Sequence, residues 1–191
     1  MDPGIGRLAR WLHGLGVKPN HVTLMSFFCS LAAAALFAVV AEHSLNVISA
    51  GILLLLSGLF DATDGIMARL YGQESRFGAF LDSVLDRISE IIVYWGLIYS
   101  TLVNVMVGLA ALSGSLMVSY ARARAEQLGS EMKGVGIAER PERLLILAAA
   151  AFLGQLNAGA FLIALLSAVT VLQRIKRARS SMISGQHFDK K

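Results

Sequence analysis

Asp61-Ala-Thr-Asp-Gly-Ile-Met-Ala-Arg-Leu-Tyr-Gly-Gln-Glu-Ser-Arg-Phe-Gly-Ala-Phe-Leu-Asp-Ser-Val-Leu-Asp86 sets four carboxylates inside or beside apolar segments long enough to cross a bilayer. Charge in such a setting is expensive, so it tends to face a cavity and carry function. On a helix, Asp61 and Asp64 are i and i+3, while Asp82 and Asp86 are i and i+4, so each pair shares a face. Gly72, Gln73, Glu74 and Ser75 between them suit a reversal between two helices. The spacing therefore predicts a helical hairpin with four carboxylates at its closed end. Carboxylates gathered this closely call for a counter-charge. Hard oxygen ligands select Mg²⁺ or Mn²⁺, where zinc would call for His or Cys.

Outward from this stretch, the chain reads as a membrane protein. Of its 191 residues, 55% are hydrophobic, and the mean hydropathy is +0.63. Six apolar segments, at about 22–41, 45–68, 79–99, 103–125, 141–155 and 158–175, approach the ~20 residues a helix needs to span hydrocarbon. Backbone polar groups in lipid must be satisfied within the segment, so these are helices and the fold is all-α. Ahead of them, Ile5, Leu8, Trp11, Leu12 and Leu15 recur at helical spacing, with Arg7, Arg10 and His13 elsewhere around the turn. Residues 3–15 thus read as an amphipathic helix in the membrane interface, with Trp11 as an anchor. The interruption of Met1–Leu15 by charge and glycine is unlike a cleavable signal.

The net charge of +4 flanks apolar spans, which favours anionic lipid and phosphate over nucleic acid as partners. The turns at 42–46, 100–104 and 154–159 lack Lys and Arg, whereas the opposite ends are rich in both, so both termini and the acid cluster are expected in the cytoplasm. A single cysteine, Cys29, excludes an intrachain disulfide. No linker or repeat interrupts residues 1–191, and one domain with a polar tail at 176–191 is expected.

The pattern Asp61-x2-Asp64-Gly65-x2-Ala68-Arg69-x8-Gly78-x3-Asp82-x3-Asp86 resembles the complete signature of the CDP-alcohol phosphotransferase family. The resemblance implies a homodimeric integral membrane enzyme that moves a substituted phosphate from a CDP-linked donor to an alcohol and releases CMP. It implies that Asp61, Asp64, Asp82 and Asp86 hold the metal, with Asp86 also the catalytic base toward the acceptor hydroxyl. By the same resemblance, Asp61, Asp64, Gly65, Ala68, Arg69, Ser75, Gly78 and Asp82 line the pocket for the CDP-linked lipid. A Pro-Asn-x-x-Thr turn adds Asn20 and Thr23, which can equally cap the helix that follows.

The acceptor is read from Ser119-Tyr-Ala-Arg-Ala-Arg-Ala-Glu126 and Val135-Gly-Ile-Ala-Glu-Arg-Pro-Glu-Arg143. Arg122, Arg124, Lys133, Arg140 and Arg143 would form an anion pocket, which an acceptor carrying its own phosphate needs and a neutral one does not. Arg122 and Arg124 lie two apart on a helix and converge only through long side chains. The two stretches resemble the branch of the family that makes phosphatidylinositol phosphate or archaetidylinositol phosphate from inositol 1-phosphate. There the first basic pair is often Lys-x-Arg, where this chain has Arg122-x-Arg124. Glycerol 3-phosphate, as in a phosphatidylglycerophosphate synthase, is the competing acceptor. A cation transporter with the acids as its ion site is the reading from another class, but transporters place such sites at the midplane between internal repeats, whereas these acids lie near one face and no repeat is visible; a scaffolding protein leaves four acids at this spacing unexplained.

Overall fold

The structure is a computed structural model that describes residues 3–39 and 45–186. Most of the first turn expected from the sequence and the last five residues lie outside the described residues. Among the described residues seven helices follow in order: α1 (Pro3–Gly14), α2 (Pro19–Ala38), α3 (Leu45–Leu70), α4 (Arg76–Tyr99), α5 (Val105–Gln127), α6 (Arg140–Phe152) and α7 (Leu156–Gln186). No strand occurs among the described residues.

Each of the six expected spans falls on a helix, but among the described residues only four helices have the length and apolarity to cross a membrane: Pro19–Ala38, Leu45–Leu70, Val105–Gln127 and Leu156–Ile183. Helix α4 is long enough, yet it carries Arg76, Asp82, Asp86, Arg87 and Glu90. Helix α6 has 13 residues, a rise of about 20 Å at ~1.5 Å per residue. The polar tail expected from residue 176 is instead a continuation of α7 as far as Gln186.

Helix α2 packs on both α3 and α4, α5 on α7, and α6 on α3 and α7. Close approach depends on small residues, since lipid gives helices no hydrophobic incentive to associate. At the α2–α4 crossing, a Cβ on Gly96 would overlap the carbonyl oxygen of Ala34. At the α5–α7 crossing, a Cβ on Gly114 would lie 2.9 Å from that of Ser167. Polar glue sits in the same seams. Ser57 Oγ on α3 lies 2.8 Å from Ser30 Oγ and 3.1 Å from Ser26 Oγ on α2. These hydroxyls are buried and satisfy one another.

Helix α1 rests on α3. Ala9 and Leu12 are buried in a small core with Val22 and Met67, while Trp11 is 62% exposed. The half-buried His13 ring stacks on Tyr71 at the end of α3, with centroids 3.5 Å apart. Burying one face and leaving Trp11 outward suits a helix lying at the interface against the bundle.

Candidate active site

The hairpin expected from the acid motif is formed by α3, α4 and the turn between them. Helix α3 ends in a tight closure, with Gln73 N–H donating to Ala68 O (2.9 Å) and Gly72 at φ +61°. That left-handed conformation suits a residue without Cβ. Ser75 caps α4, its Oγ accepting from Gly78 N–H at 2.9 Å. A Cβ on Gly78 would come within 2.8 Å of that Oγ and 3.1 Å of Asn20 Oδ1, so glycine here lets the start of α2 close over the turn.

Asp61, Asp82 and Asp86 each present an oxygen within 4.8 Å of the others. Asp64 stands slightly apart. It is buried, and the hydroxyl of Thr23 donates to its Oδ2 at 2.6 Å. Thr23 is therefore more than a helix-start residue: its Oγ1 lies 3.2 Å from Pro19 O on its own turn, and its single proton goes to the shorter bond, orienting a carboxylate on the neighbouring helix. Asp82 Oδ1 is buried and receives no hydrogen bond among the described residues. An all-carboxylate oxygen set of this size, holding one buried oxygen without a donor, fits a hard divalent cation such as Mg²⁺ or Mn²⁺.

Two cavities meet at this cluster. The first, about 240 Å³, is lined by Asn20, Thr23, Asp64, Gly65, Ala68, Arg69, Ser75, Gly78 and Asp82. These are the residues expected around the CDP-linked donor, all but Asp61. The second, about 510 Å³, is bordered by all four acids and by Arg69, Arg87, Arg122, Arg140, Arg143 and Arg174. Asp64, Gly65, Arg69 and Asp82 line both.

Of the residues expected to hold the acceptor, Arg122, Arg140 and Arg143 border the second cavity and Arg124 and Lys133 do not. Arg124 is exposed and donates to Gln127 Oε1 at 2.7 Å. It follows Arg122 by two residues, and the helix turns it away. Lys133 is exposed in the α5–α6 loop. Arg140 does not simply face the cavity. Its Nη1 lies 2.7 Å from Asp61 Oδ1 and 2.8 Å from Asp86 Oδ1, inside the acid cluster. Arg143, 4% exposed, pairs with Glu90 and donates to Ala138 O at 2.7 Å.

Two residues with structural ties to the site were not picked out from the sequence. Glu90 continues the Asp82, Asp86 face of α4 by one more turn, at i+8. Arg174, 2% exposed, donates to Val118 O (2.5 Å), Val135 O (2.8 Å) and Glu139 Oε1 (3.0 Å). It ties α7 to α5 and to the α5–α6 loop, helped by Thr170 Oγ1, which accepts from Ile137 N–H and Ala138 N–H. The legible signal was the polar run Ser167, Thr170, Arg174 at i, i+3, i+7 in an apolar helix. That loop in turn delivers Arg140 to the acids.

Residues 17–173 match the model of the CDP-alcohol phosphatidyltransferase family. The archaetidylinositol phosphate synthase of Pyrococcus horikoshii is 39% identical over 94% of this chain and 93% of its own. The phosphatidylinositol phosphate synthase of Mycobacteroides abscessus is 36% identical over 91% of this chain and 83% of its own. Among solved structures, Mycobacterium tuberculosis phosphatidylinositol phosphate synthase superposes with a TM-score of 0.76 with CDP-DAG bound and 0.77 in complex with manganese and citrate. Both are 33% identical and match 91% of this chain, covering 92% and 88% of theirs. The protein is an enzyme of the CDP-alcohol phosphatidyltransferase family, and its chain belongs there on the strength of motif, fold and near full-length similarity alike.

Proposed function

We propose that the chain transfers a phosphatidyl-type group from a CDP-linked lipid, either CDP-diacylglycerol or CDP-archaeol, to inositol 1-phosphate and releases CMP. The observation that carries this reading is one acid cluster flanked by two cavities of different chemistry. The first is lined by small residues, Gly65, Ala68 and Gly78, which let a flat nucleotide approach the backbone. The second carries guanidinium groups suited to a phosphorylated acceptor. Relatives named archaetidylinositol phosphate synthase and phosphatidylinositol phosphate synthase support inositol phosphate as that acceptor. A relative solved with CDP-DAG supports the donor.

Asp61, Asp64, Asp82 and Asp86 would hold Mg²⁺ or Mn²⁺. A cation held there would supply charge neutralisation for the donor diphosphate and for the charge that develops on departing CMP. The chain's own residues supply position and a base. Thr23 orients Asp64, and Arg69, on the wall between the cavities, binds phosphate. Arg122 gives the acceptor phosphate a partner, while Arg143 and Arg174 shape and charge the cavity around it. Asp86 takes the proton of the acceptor hydroxyl as its oxygen bonds to the lipid-linked phosphorus and the bond from that phosphorus to CMP breaks. Asn20, Ser75 and Gly78 close the donor side.

Residues 1–191 form one catalytic membrane domain in this reading. Helices α2–α7 make six spans, with the charged face of α4 and the short α6 both sheltered by neighbouring helices. Lys and Arg gather at the acid end of the bundle, so that end and both termini face the cytoplasm. The working unit is a homodimer.

The experiment is an acceptor screen. The purified protein, with CDP-diacylglycerol or CDP-archaeol and Mg²⁺, is offered inositol 1-phosphate, glycerol 3-phosphate, serine and free inositol, and CMP is measured. Release dependent on inositol 1-phosphate is expected. Release with glycerol 3-phosphate alone would reassign the acceptor, and release with free inositol would remove the need for the guanidinium groups of the second cavity.

A further inference from the structure

We propose that Arg140 is a resident counter-ion of the acid cluster: without a divalent cation its guanidinium holds Asp61 and Asp86, and cation binding releases it toward the open space of the cavity that all three border. The proposal rests on the cluster being a metal site. It adds an ordering of events, since the Arg140 guanidinium becomes free only once the cation is loaded.

Three observations carry it. First, Arg140 Nη1 contacts Asp61 and Asp86, two of the three acids whose oxygens lie within 4.8 Å of one another. Oxygens sharing one divalent ion at ~2.0–2.6 Å each lie at most about 5 Å apart, so guanidinium and cation compete for the same place. Second, the grip is ionic and lacks hydrogen-bond alignment: neither Nη1 nor the buried Nε makes a hydrogen bond among the described residues. The neighbouring buried arginines are held differently. Arg143 donates to Ala138 O, and Arg174 to Val118 O and Val135 O. Arg140 is thus the one of the three that can leave without stranding a backbone acceptor. Third, it has somewhere to go. It sits on the first turn of α6, directly before Pro141, where its side chain can swing without disturbing the helix, and it borders the cavity of about 510 Å³.

The test measures Mn²⁺ binding by the full-length protein in detergent, using the EPR signal of free Mn²⁺, for wild type, Arg140→Gln and Arg122→Gln. Both variants remove one positive charge from the same cavity, but Arg122 pairs with Glu126 rather than with the cluster. Arg140→Gln should bind Mn²⁺ about tenfold more tightly than wild type, and Arg122→Gln should shift it by less than about threefold. Equal or weaker binding in Arg140→Gln would overturn the proposal. So would an equal gain in both variants, which would reduce the effect to general repulsion.

Because Arg140→Gln could impair folding, a second readout uses wild-type protein. Arginine-directed dicarbonyl labelling, read by peptide mass spectrometry, should rise several-fold at Arg140 on Mn²⁺ loading and stay level at Arg143. No rise at Arg140 would overturn the proposal. Wild type that takes up no Mn²⁺ would defeat the metal reading itself, a result distinct from Mn²⁺ uptake without any effect at Arg140.

Discussion

Replacing Arg143 with Met tests whether this arginine is first a strut or first a ligand. Glu90 and Arg143 are 8% and 4% exposed and pair across α4 and α6. In Arg143→Met the Glu90 carboxylate stays buried and loses its cation, and Ala138 O loses a donor. Breaking a buried pair from one side typically costs about 3–5 kcal/mol. A chain of this length loses about 2–4 °C of Tm per kcal/mol, so a fall of about 6–20 °C is expected. Glu90→Leu should cost a similar amount, because it strands the guanidinium. The double variant Glu90→Leu, Arg143→Met replaces the pair with apolar side chains and should recover most of the loss, since such replacements are often close to neutral. The assay is thermal unfolding in one detergent for all four proteins, with elution as a single species in size-exclusion chromatography as a check on folding. Single losses that simply add in the double variant, within about 0.5 kcal/mol, would refute the strut.

Other outcomes follow from the same geometry. Thr23→Val removes the 2.6 Å hydrogen bond to Asp64; bonds to charged groups are worth about 1.5–3 kcal/mol, so cation affinity measured by titration should fall about tenfold or more. Gly96→Ala drives a methyl into Ala34 O, and the overpacking should lower stability by about 1–3 kcal/mol in a melting curve while the surviving folded protein keeps its donor KM. Arg122→Ala should raise KM for the phosphorylated acceptor, and Arg124→Ala should leave it unchanged in the same steady-state assay, because only Arg122 borders the second cavity.

The acid hairpin was legible because charge in an apolar chain is rare and helical spacing is strict. Asp61, Asp64, Asp82 and Asp86 could be placed on two facing helices from their intervals alone. Helix ends were less legible. Helix α2 begins at Pro19, where the fixed φ of proline favours a first turn, three residues before the apolar run suggests. Helix α7 outruns its apolar stretch because Lys176, Arg177 and Arg179 are good helix formers, and hydropathy reports spans rather than helices. The allocation of the arginines was least legible. All look alike as charges at one membrane face, yet Arg124 is exposed, Arg174 fastens a loop, Arg143 is paired with Glu90 and Arg140 reaches back into the acids. For Arg174, Arg143 and Arg140 those fates depend on partners 35 to 79 residues away in sequence, such as Glu139, Glu90 and Asp61. No local pattern encodes such distances.

Isotopically tagged CDP-diacylglycerol, inositol 1-phosphate and purified protein, with Mg²⁺ or with chelator, offer the most direct examination of carboxylates from α3 and α4 acting together on a nucleotide diphosphate. Wild type should release tagged CMP only with the cation present. Asp82→Asn and Asp86→Asn should release none while melting as folded proteins. Sustained CMP release by either variant, or by wild type under chelation, would contradict the account.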